Sequence, residues 1–211
     1  MGIVERRERE KEQRRNDIID AAERIFFSKG RVLATMDDVA EEAELSKGTL
    51  YLYFKNKEEL YLAINLRGLK ILTNLFEEAL TRHKTGIEKI EAIGQAYLQF
   101  YREYPDYFNA LLYFESQEMA PEAQQSTACE CHDYGEMALG LVAKALQSGI
   151  DDGTIRPDID PIKTATVLWG QTSGLIQLIA LKGDHLQRHH GINIDEIIMS
   201  AFELIRYALK K

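Results

Sequence analysis

The chain has 211 residues with four prolines, and 45% of its residues are hydrophobic, which excludes a disordered protein and suits a compact helical one. Its formal net charge is −8, but residues 1–67 hold 13 basic and 14 acidic residues, against 13 and 20 in the remainder. No apolar run reaches the roughly 18 residues of a membrane span, and the charged N-terminus is unlike a secretory signal. The two cysteines, Cys129 and Cys131, do not suggest a disulfide framework, so we expect a cytoplasmic protein with no membrane partner.

The N-terminal segment ERREREKEQRR, residues 5–15, alternates acidic and basic residues at helical spacing. One interpretation is a solvated helical extension, held by i, i+4 ion pairs worth a few tenths of a kcal/mol each. The other is a basic arm that contacts a nucleic-acid backbone or minor groove, with Arg6, Arg7, Arg14 and Arg15 as candidates. The apolar pattern then predicts a helix from about Gln13 to Ser28, ended by Gly30.

The stretch from Thr35 to Phe54, TMDDVAEEAELSKGTLYLYF, predicts two short helices joined by a tight turn. Thr35 can cap the first helix, whose first turn carries Asp37 and Asp38 where the helix dipole favours acidic residues. Ser46 can cap the second helix, which starts at Lys47. The apolar residues of the first helix recur on one face, at Met36, Val39, Ala40 and Ala43.

The second of these helices has one apolar pair, Leu50 and Phe54, for the core and leaves Tyr51 and Tyr53 facing outward. Residues 45–57 contain three lysines and no acidic residue. Two short helices around a turn, the second presenting hydroxyls, aromatics and lysines, are typical of a helix-turn-helix that reads DNA.

The side-chain chemistry suggests a role for each outward-facing residue. Lys47 suits guanine O6 and N7, and the Thr49 methyl group suits thymine. The Tyr53 hydroxyl and the Lys57 ammonium can bind phosphates, as can backbone N–H groups at the start of the second helix. The predicted DNA-binding residues are Thr35, Ser46, Lys47, Gly48, Thr49, Tyr51, Tyr53 and Lys57.

The run TMDDVAEEAELSKGTLYLYFKNKEELY resembles the DNA-binding signature of the TetR family of bacterial transcriptional regulators, and IIDAAERIFFSKG resembles that family's first helix. The resemblance covers the first third of the chain and supports contacts at Ser46, Lys47, Gly48, Tyr51, Tyr53 and Lys57. Leu52 departs from the larger aromatic or polar residue that the family often carries there, so base reading at that position is in doubt.

This resemblance implies an all-α fold, with a three-helix DNA-binding domain in residues 1–56 and a helical ligand-binding and dimerisation domain in residues 57–211. It also implies a dimer on a palindromic operator, usually a repressor, which a ligand releases when the long fourth helix swings. The apolar pattern places that helix from about Asn56 to His83. The remaining patterns predict helices at 87–104, 106–116, 121–148, 161–182 and 194–209, with a turn-rich connector at 149–161 and a polar loop at 183–193.

Aromatic residues are dense between residues 97 and 114, and they are open to two interpretations. Each taken singly fits a core position, but together they exceed what one small domain needs, and an apolar cavity with polar edges suits a small hydrophobic or aromatic effector. The candidate ligand-binding residues are Tyr97, Phe100, Tyr101, Tyr104, Phe108, Tyr113, Phe114, Trp169 and Gln171.

The helix TATVLWGQTSGLIQLIALK is almost uncharged, so it is buried either within the chain or against a second copy. Because the family dimerises through its last two helices, the resemblance favours a dimer interface. Its candidate residues are Gly170, Gly174, Leu178, Ile197, Ala201 and Ile205.

The segment Cys129-Glu130-Cys131-His132 invites a metal or catalytic interpretation. On a helix these side chains point in different directions, and the chain has no second thiol pair and no oxyanion motif, so we expect no metal, no cofactor and no enzyme activity. The competing interpretations are a DNA-binding helical protein-interaction module without an effector, and an enzyme that uses this cluster.

Overall fold

A computed structural model describes residues 2–116 and 127–211, and within these ranges the chain is all-α, as predicted. The helices are α1 Ile3–Leu33, α2 Met36–Glu42, α3 Lys47–Tyr53, α4 Lys57–Arg82, α5 Gly86–Glu103, α6 Pro105–Glu115, α7 Thr127–Asp152, α8 Pro161–His190 and α9 Ile194–Leu209. None of these helices is long and apolar enough to cross a membrane.

The chain forms two compact units. The N-terminal unit comprises the described parts of Met1–Leu69 and Asp106–His132, and the C-terminal unit comprises Lys70–Pro105 and Asp133–Lys211. The predicted boundary between residues 56 and 57 is a functional division, and it stays a prediction.

The core of the N-terminal unit is built from α1, α2, α3 and α4. Leu50 and Phe54 are fully buried, which confirms the i, i+4 pair predicted for α3. They pack with apolar side chains of the other three helices, namely Ile18, Ile19, Ala22, Phe26, Val39, Leu60 and Ile64. Burial of α3 on one side leaves its opposite side exposed to solvent.

Helix α1 differs from its prediction at both ends. It begins at Ile3, so the charged segment 5–15 is a helical extension, exposed at all its residues except the half-buried Arg15, and Arg6 pairs with Glu10 at 2.7 Å. Gly30 adopts φ 76° and ψ 152°, which only glycine reaches without strain, so the regular helix stops there as predicted. The predicted C-terminal end was nevertheless wrong, because a further helical turn continues from Gly30 to Leu33.

Helix α4 matches its prediction closely. Asn56 caps it, since the Glu59 N–H donates to Asn56 Oδ1 at 2.8 Å, and the helix runs for 26 residues to Arg82. It contributes Leu60 and Ile64 to the core of the N-terminal unit and Phe76 to the buried interior of the C-terminal unit.

Two loop predictions in the C-terminal half were wrong. Helix α7 continues through 149–152 of the expected connector, and α8 continues to His190 through most of the expected loop 183–193. Gly183, inside the longer α8, is buried against Ile194, so packing of the helix outweighs the polar pattern on which the loop prediction rested. The predicted start of the seventh helix at Pro121 lies outside the described residues.

The C-terminal unit packs α5 against α8 and α9. Tyr97 of α5 is buried, and its hydroxyl lies 2.9 Å from Ser173 Oγ of α8. Gly94 allows α9 to approach, because a Cβ at this position would collide with the ring of Phe202.

Candidate nucleic-acid interface

Helix α2 is held in place by side chains at its N-terminus. The Asp38 N–H donates to Thr35 Oγ1 at 3.1 Å, and the Thr35 N–H donates to Asp38 Oδ2 at 2.9 Å, which forms a capping box. Lys29 Nζ also donates to Asp38 Oδ1 at 2.7 Å, which ties α1 to α2. These hydrogen bonds, first that from Lys29 and then those from Thr35, lower the pKa of Asp38 to about 2.

The turn between α2 and α3 is tight because Glu44 adopts a left-handed conformation with φ 54°. Ser46 then caps α3, since the Thr49 N–H donates to Ser46 Oγ at 3.1 Å. Both predicted caps, Thr35 and Ser46, are therefore used by the protein's own backbone. Thr35 and Ser46 can contact DNA only with the donors and acceptors that these capping bonds leave unused.

The exposed side of α3 carries most of the predicted DNA-binding residues. Lys47, Gly48 and Tyr51 are exposed, with Tyr51 at 49% of its full surface, whereas Thr49 and Tyr53 are half-buried. A Cβ on Gly48 would meet only Ser46 Oγ, at 3.9 Å, so nothing inside the protein requires glycine there. Leu52 is 84% exposed, which leaves a large apolar side chain on this surface.

Two lysines of the interface have specific partners. Lys47 Nζ donates to Asp37 Oδ2 at 2.6 Å, and this bond raises the pKa of Lys47. Lys57 Nζ donates to the carbonyl oxygens of Arg31 at 2.9 Å and Ala34 at 3.0 Å, and to that of Val32 at 3.4 Å. Lys57 therefore binds the backbone at the end of α1, a role that the sequence did not reveal.

The N-terminal extension of α1 borders the same surface. The Arg15 guanidinium lies over the Phe54 ring, 5.1 Å from its centroid. A groove of about 310 Å³ separates this part of α1 from the end of α3, and it is lined by Glu8, Lys11, Glu12, Arg15, Leu52 and Tyr53.

A polar network that sequence analysis missed joins α1, α4 and α6 within the N-terminal unit. Arg67 of α4 pairs with Asp20 at 2.5 Å and with Glu23 at 3.1 Å, both on α1. The Tyr107 hydroxyl of α6 donates to Glu23 Oε1 at 2.7 Å. Burial, followed by this bond to a carboxylate, strongly raises the pKa of Tyr107. Residues 84 positions apart in the sequence show no pattern from which this contact could be predicted.

A second contact between α1 and α6 is made by a cation on aromatic rings. The Arg31 guanidinium lies 4.0 Å from the centroid of the Tyr113 ring and 5.9 Å from that of Tyr61. Tyr61 and Tyr113 also pack edge to face at 5.5 Å. Such cation–π contacts are worth about 0.5–2 kcal/mol.

Comparison with known proteins adds to this geometry. The family model described as bacterial regulatory proteins, tetR family, matches residues 18–64, and the model described as tetracyclin repressor-like, C-terminal domain, matches residues 90–200. An uncharacterized HTH-type transcriptional regulator of Bacillus subtilis, YhgD, is 30% identical over 155 residues, which cover 74% of this chain and 78% of YhgD. The chain belongs to the TetR family.

Two further similarities concern TetR-family function and fold. The transcriptional activator FasR of Mycolicibacterium smegmatis is 26% identical over 185 residues, which cover 77% of this chain and 84% of FasR. The structure of FadR from Bacillus subtilis in complex with stearoyl-CoA has the same fold, with a TM-score of 0.70 at 19% identity, and the match covers 91% of this chain and 97% of FadR. This TetR-family chain is a DNA-binding transcriptional regulator and not an enzyme.

The nine residues predicted to line one ligand cavity of this TetR-family protein are divided between its two units. Tyr97, Phe100, Tyr101, Tyr104, Trp169 and Gln171 belong to the C-terminal unit, and Phe108, Tyr113 and Phe114 belong to the N-terminal unit. Phe100 and Phe108 are fully or almost fully buried in the core, and Tyr113 binds Arg31. Of the nine residues, Tyr97 and Trp169 line one cavity of the C-terminal unit.

The cavity of the C-terminal unit has a volume of about 40 Å³. Tyr97 and Trp169 stack with ring centroids 5.0 Å apart, and Phe76 packs against both rings. The rest of the lining is mostly apolar and includes Ile90, Ile93, Gly94, Val142, Leu168, Thr172, Phe202 and Ile205. Glu91 also lines the cavity, and the Arg206 guanidinium binds its carboxylate, with Nη2 at 2.6 Å from Oε2.

The outer surfaces of α8 and α9 carry the predicted dimer residues. Gly170, Gly174 and Leu178 are exposed, and Ile197, Ala201 and Ile205 are half-buried. Several other large apolar side chains on these two helices are also exposed: Ile162, Val167, Leu181, Met199, Leu204 and Tyr207. A groove of about 520 Å³ runs along this surface, and Gln171 lines it together with Ala201 and Ile205.

Among the described residues, no group of three or more histidines, cysteines, aspartates or glutamates is arranged to hold a metal ion. Cys131 is buried, and its thiol donates to the Leu62 carbonyl oxygen at 3.4 Å. His185, His189 and His190 lie close together in the last turns of α8. The prediction that they lie in a loop was therefore wrong.

Proposed function

We propose that this regulator is a repressor that binds a palindromic operator as a homodimer and is released by a small hydrophobic or aromatic effector. The observation that carries the proposal is the aromatic cavity of the C-terminal unit, in which Tyr97 and Trp169 stack beside the Tyr97–Ser173 hydrogen bond. An apolar cavity with a few fixed polar groups is suited to bind such a molecule.

For DNA binding, we assign the exposed side of α3 to the major groove. Lys47, Thr49 and Tyr51 would reach base edges, and Tyr53 and Lys57 would bind phosphates on either side. The N–H groups at the start of α2 and α3, near Thr35, Ser46 and Gly48, would bind further phosphates.

Lys57 can combine a phosphate contact with its contacts to α1. An ammonium has three donors, and two of the three carbonyl contacts are short while the one to Val32 is 3.4 Å long. Releasing the longest contact would free one N–H for a phosphate.

For dimerisation, we assign the exposed apolar surface of α8 and α9 to the interface between two copies. Leu181 and Leu204 are 78% and 72% exposed, and burying such side chains gives the hydrophobic free energy that drives association. A homodimer presents two copies of α3, which explains why the operator would be palindromic.

For the effector, the cavity volume of about 40 Å³ has room for only a few water molecules, so binding must part Tyr97, Trp169 and their neighbours. Phe76 packs on this pair and belongs to α4, which also supplies Lys57 and Leu60 to the N-terminal unit. An effector that displaces Phe76 would therefore shift a helix that belongs to both units. A preference of a few kcal/mol for the non-binding state is enough to release the operator.

The experiment starts with selection of bound sequences from random duplex DNA at near-physiological salt, from which we expect one palindrome. The recovered operator is then titrated with stearoyl-CoA, with free stearate and with an aromatic acid, because FadR has been seen with stearoyl-CoA. We expect one of these classes to release the operator, and Trp169→Ala to reduce that response while operator affinity is retained. Operator binding that no ligand class changes would favour the interaction-module interpretation.

The site of action follows from the proposed partner. Because bacterial DNA lies in the cytoplasm, we propose that the protein acts there.

A further inference from the structure

The ion pair between Asp37 and Lys47 lies at the centre of the proposed DNA interface. Asp37 is the second residue of α2, Lys47 is the first residue of α3, and Asp37 Oδ2 lies 2.6 Å from Lys47 Nζ. Both side chains point to solvent, with 60% and 65% of their surface exposed. An acidic residue is unexpected on a surface that faces DNA, because phosphates repel it.

This ion pair is too weak to keep Lys47 away from DNA. Exposed ion pairs contribute little stability in water, so a guanine can compete for the lysine. The pair also leaves capacity on both partners. An ammonium has two further donors, and Asp37 Oδ1 accepts no hydrogen bond within the described part of the chain.

The exposed donor and acceptor match the edge of one base pair. In the major groove, guanine presents the acceptors O6 and N7, and its cytosine partner presents the N4 amino donor. Cytosine N4 and guanine O6 are hydrogen-bonded to each other, so they lie about 2.9 Å apart. Lys47 Nζ and the carboxylate that it binds at 2.6 Å can therefore reach both atoms at once, the lysine with a remaining N–H and the carboxylate with Oδ1.

An A·T pair also presents a donor, adenine N6, beside an acceptor, thymine O4, but it is a poorer match to the same two side chains. Thymine presents one acceptor, O4, beside a C5-methyl group, whereas guanine presents two neighbouring acceptors to a lysine. The methyl group would lie against two charged side chains and would displace their water. The pair of side chains should therefore discriminate in favour of G·C.

We propose that Asp37 and Lys47 together read one G·C base pair in each half-site, with Lys47 on guanine and Asp37 on cytosine N4. This inference rests on the proposed operator binding, and it makes Asp37 a specificity-determining residue. The ion pair also reduces the repulsion between Asp37 and the phosphates, because the lysine neutralises the carboxylate while both approach the DNA.

The test compares the parent protein with Asp37→Ala, Asp37→Asn and the control Glu41→Ala, in selection from random duplex DNA at one salt concentration. Glu41 is exposed one turn further along α2, and its replacement also removes one negative charge. Affinities are then measured for the recovered operator and for versions with each G·C pair changed to A·T. Thermal unfolding confirms that each variant is folded.

We expect the parent and Glu41→Ala to prefer G·C at one position of the half-site by about 5- to 150-fold. Asp37→Ala should lose most of that preference at this position alone. Asp37→Asn should keep part of it, because the amide oxygen remains an acceptor.

Three results would overturn the inference. If Asp37→Ala selects the parent's sequence with equal or higher affinity, Asp37 only competes with DNA for Lys47. If it weakens every position equally, Asp37 only positions α3. If Asp37→Asn loses the preference as fully as Asp37→Ala, the negative charge acts without accepting a bond from a base. Failure of the parent to select any sequence would instead contradict the proposed function.

Discussion

Lys57 Nζ donates to the carbonyl oxygen of Ala34 at 3.0 Å, which joins the start of α4 to the residue that follows α1. Ala34 is buried, and its carbonyl lies beyond the end of α1, so no later turn of that helix can satisfy it. The Lys57 ammonium therefore satisfies backbone carbonyl groups at the end of α1, in addition to any contact with DNA.

Replacement of Lys57 should separate these two roles. We expect Lys57→Ala to lower the free energy of unfolding by about 1–3 kcal/mol, because part-buried carbonyl oxygens lose a charged donor. It should also weaken binding to all sequences and lower the salt slope by about 0.9. Chemical denaturation and operator affinity at several salt concentrations measure the two effects.

A matched pair of variants tests the assignment of Lys57. Lys57→Gln removes the charge but keeps a donor. It should therefore lower the salt slope as much as Lys57→Ala does, but lower the free energy of unfolding less. Lys57→Arg keeps the charge, so the slope should be retained. A parental slope in Lys57→Gln would contradict the phosphate contact.

The low pKa of Asp38 predicts a dependence of stability on pH. Because the pKa falls from 3.8 in the unfolded chain to about 2 in the folded protein, the stabilising effect is present above pH 4 and is lost as the pH falls towards 2. We expect the melting temperatures of the parent and Asp38→Asn to differ at pH 7 and to converge near pH 2. A difference that stays constant over this range would mean that the charge of Asp38 is unimportant.

The contact between Tyr107 and Glu23 should be energetically coupled. We expect Tyr107→Phe to lower the free energy of unfolding by about 1–2 kcal/mol, because a half-buried carboxylate loses a donor at 2.7 Å. Glu23→Gln and the double variant complete a double-mutant cycle, for which we expect an interaction energy of about 0.5–2 kcal/mol. Strictly additive effects would show that the hydrogen bond contributes nothing.

The exposed surface of α8 and α9 should control the oligomeric state. We expect Leu178→Glu combined with Leu204→Glu to produce a monomer in sedimentation experiments, because charges buried at an interface without partners are costly. Operator affinity should fall when the dimer is lost, since a monomer binds only one half-site. Val4→Glu is the matched control, because Val4 is equally apolar and 73% exposed but lies on the extension of α1. A dimer that survives the double change would place the interface elsewhere.

The sequence by itself determined the local features of this protein. Caps at Thr35, Ser46 and Asn56, and the apolar spacing of Leu50 and Phe54, depend on residues within a few positions of each other, and all were confirmed. The motif in residues 35–61 was also sufficient to indicate the family. The prediction of a loop at 183–193 was wrong because helix packing around Gly183 outweighs the polar pattern of the segment.

The tertiary structure alone decided which distant residues meet. Helix packing brings Lys57 to the carbonyl oxygens at the end of α1 and the Tyr107 hydroxyl to Glu23. It also divides the aromatic cluster between two units. Even Asp37 and Lys47, ten positions apart, meet only because the turn at Glu44 folds α3 back beside α2. The sequence carries the chemistry of these side chains, but the free energy of burying the core chooses their partners.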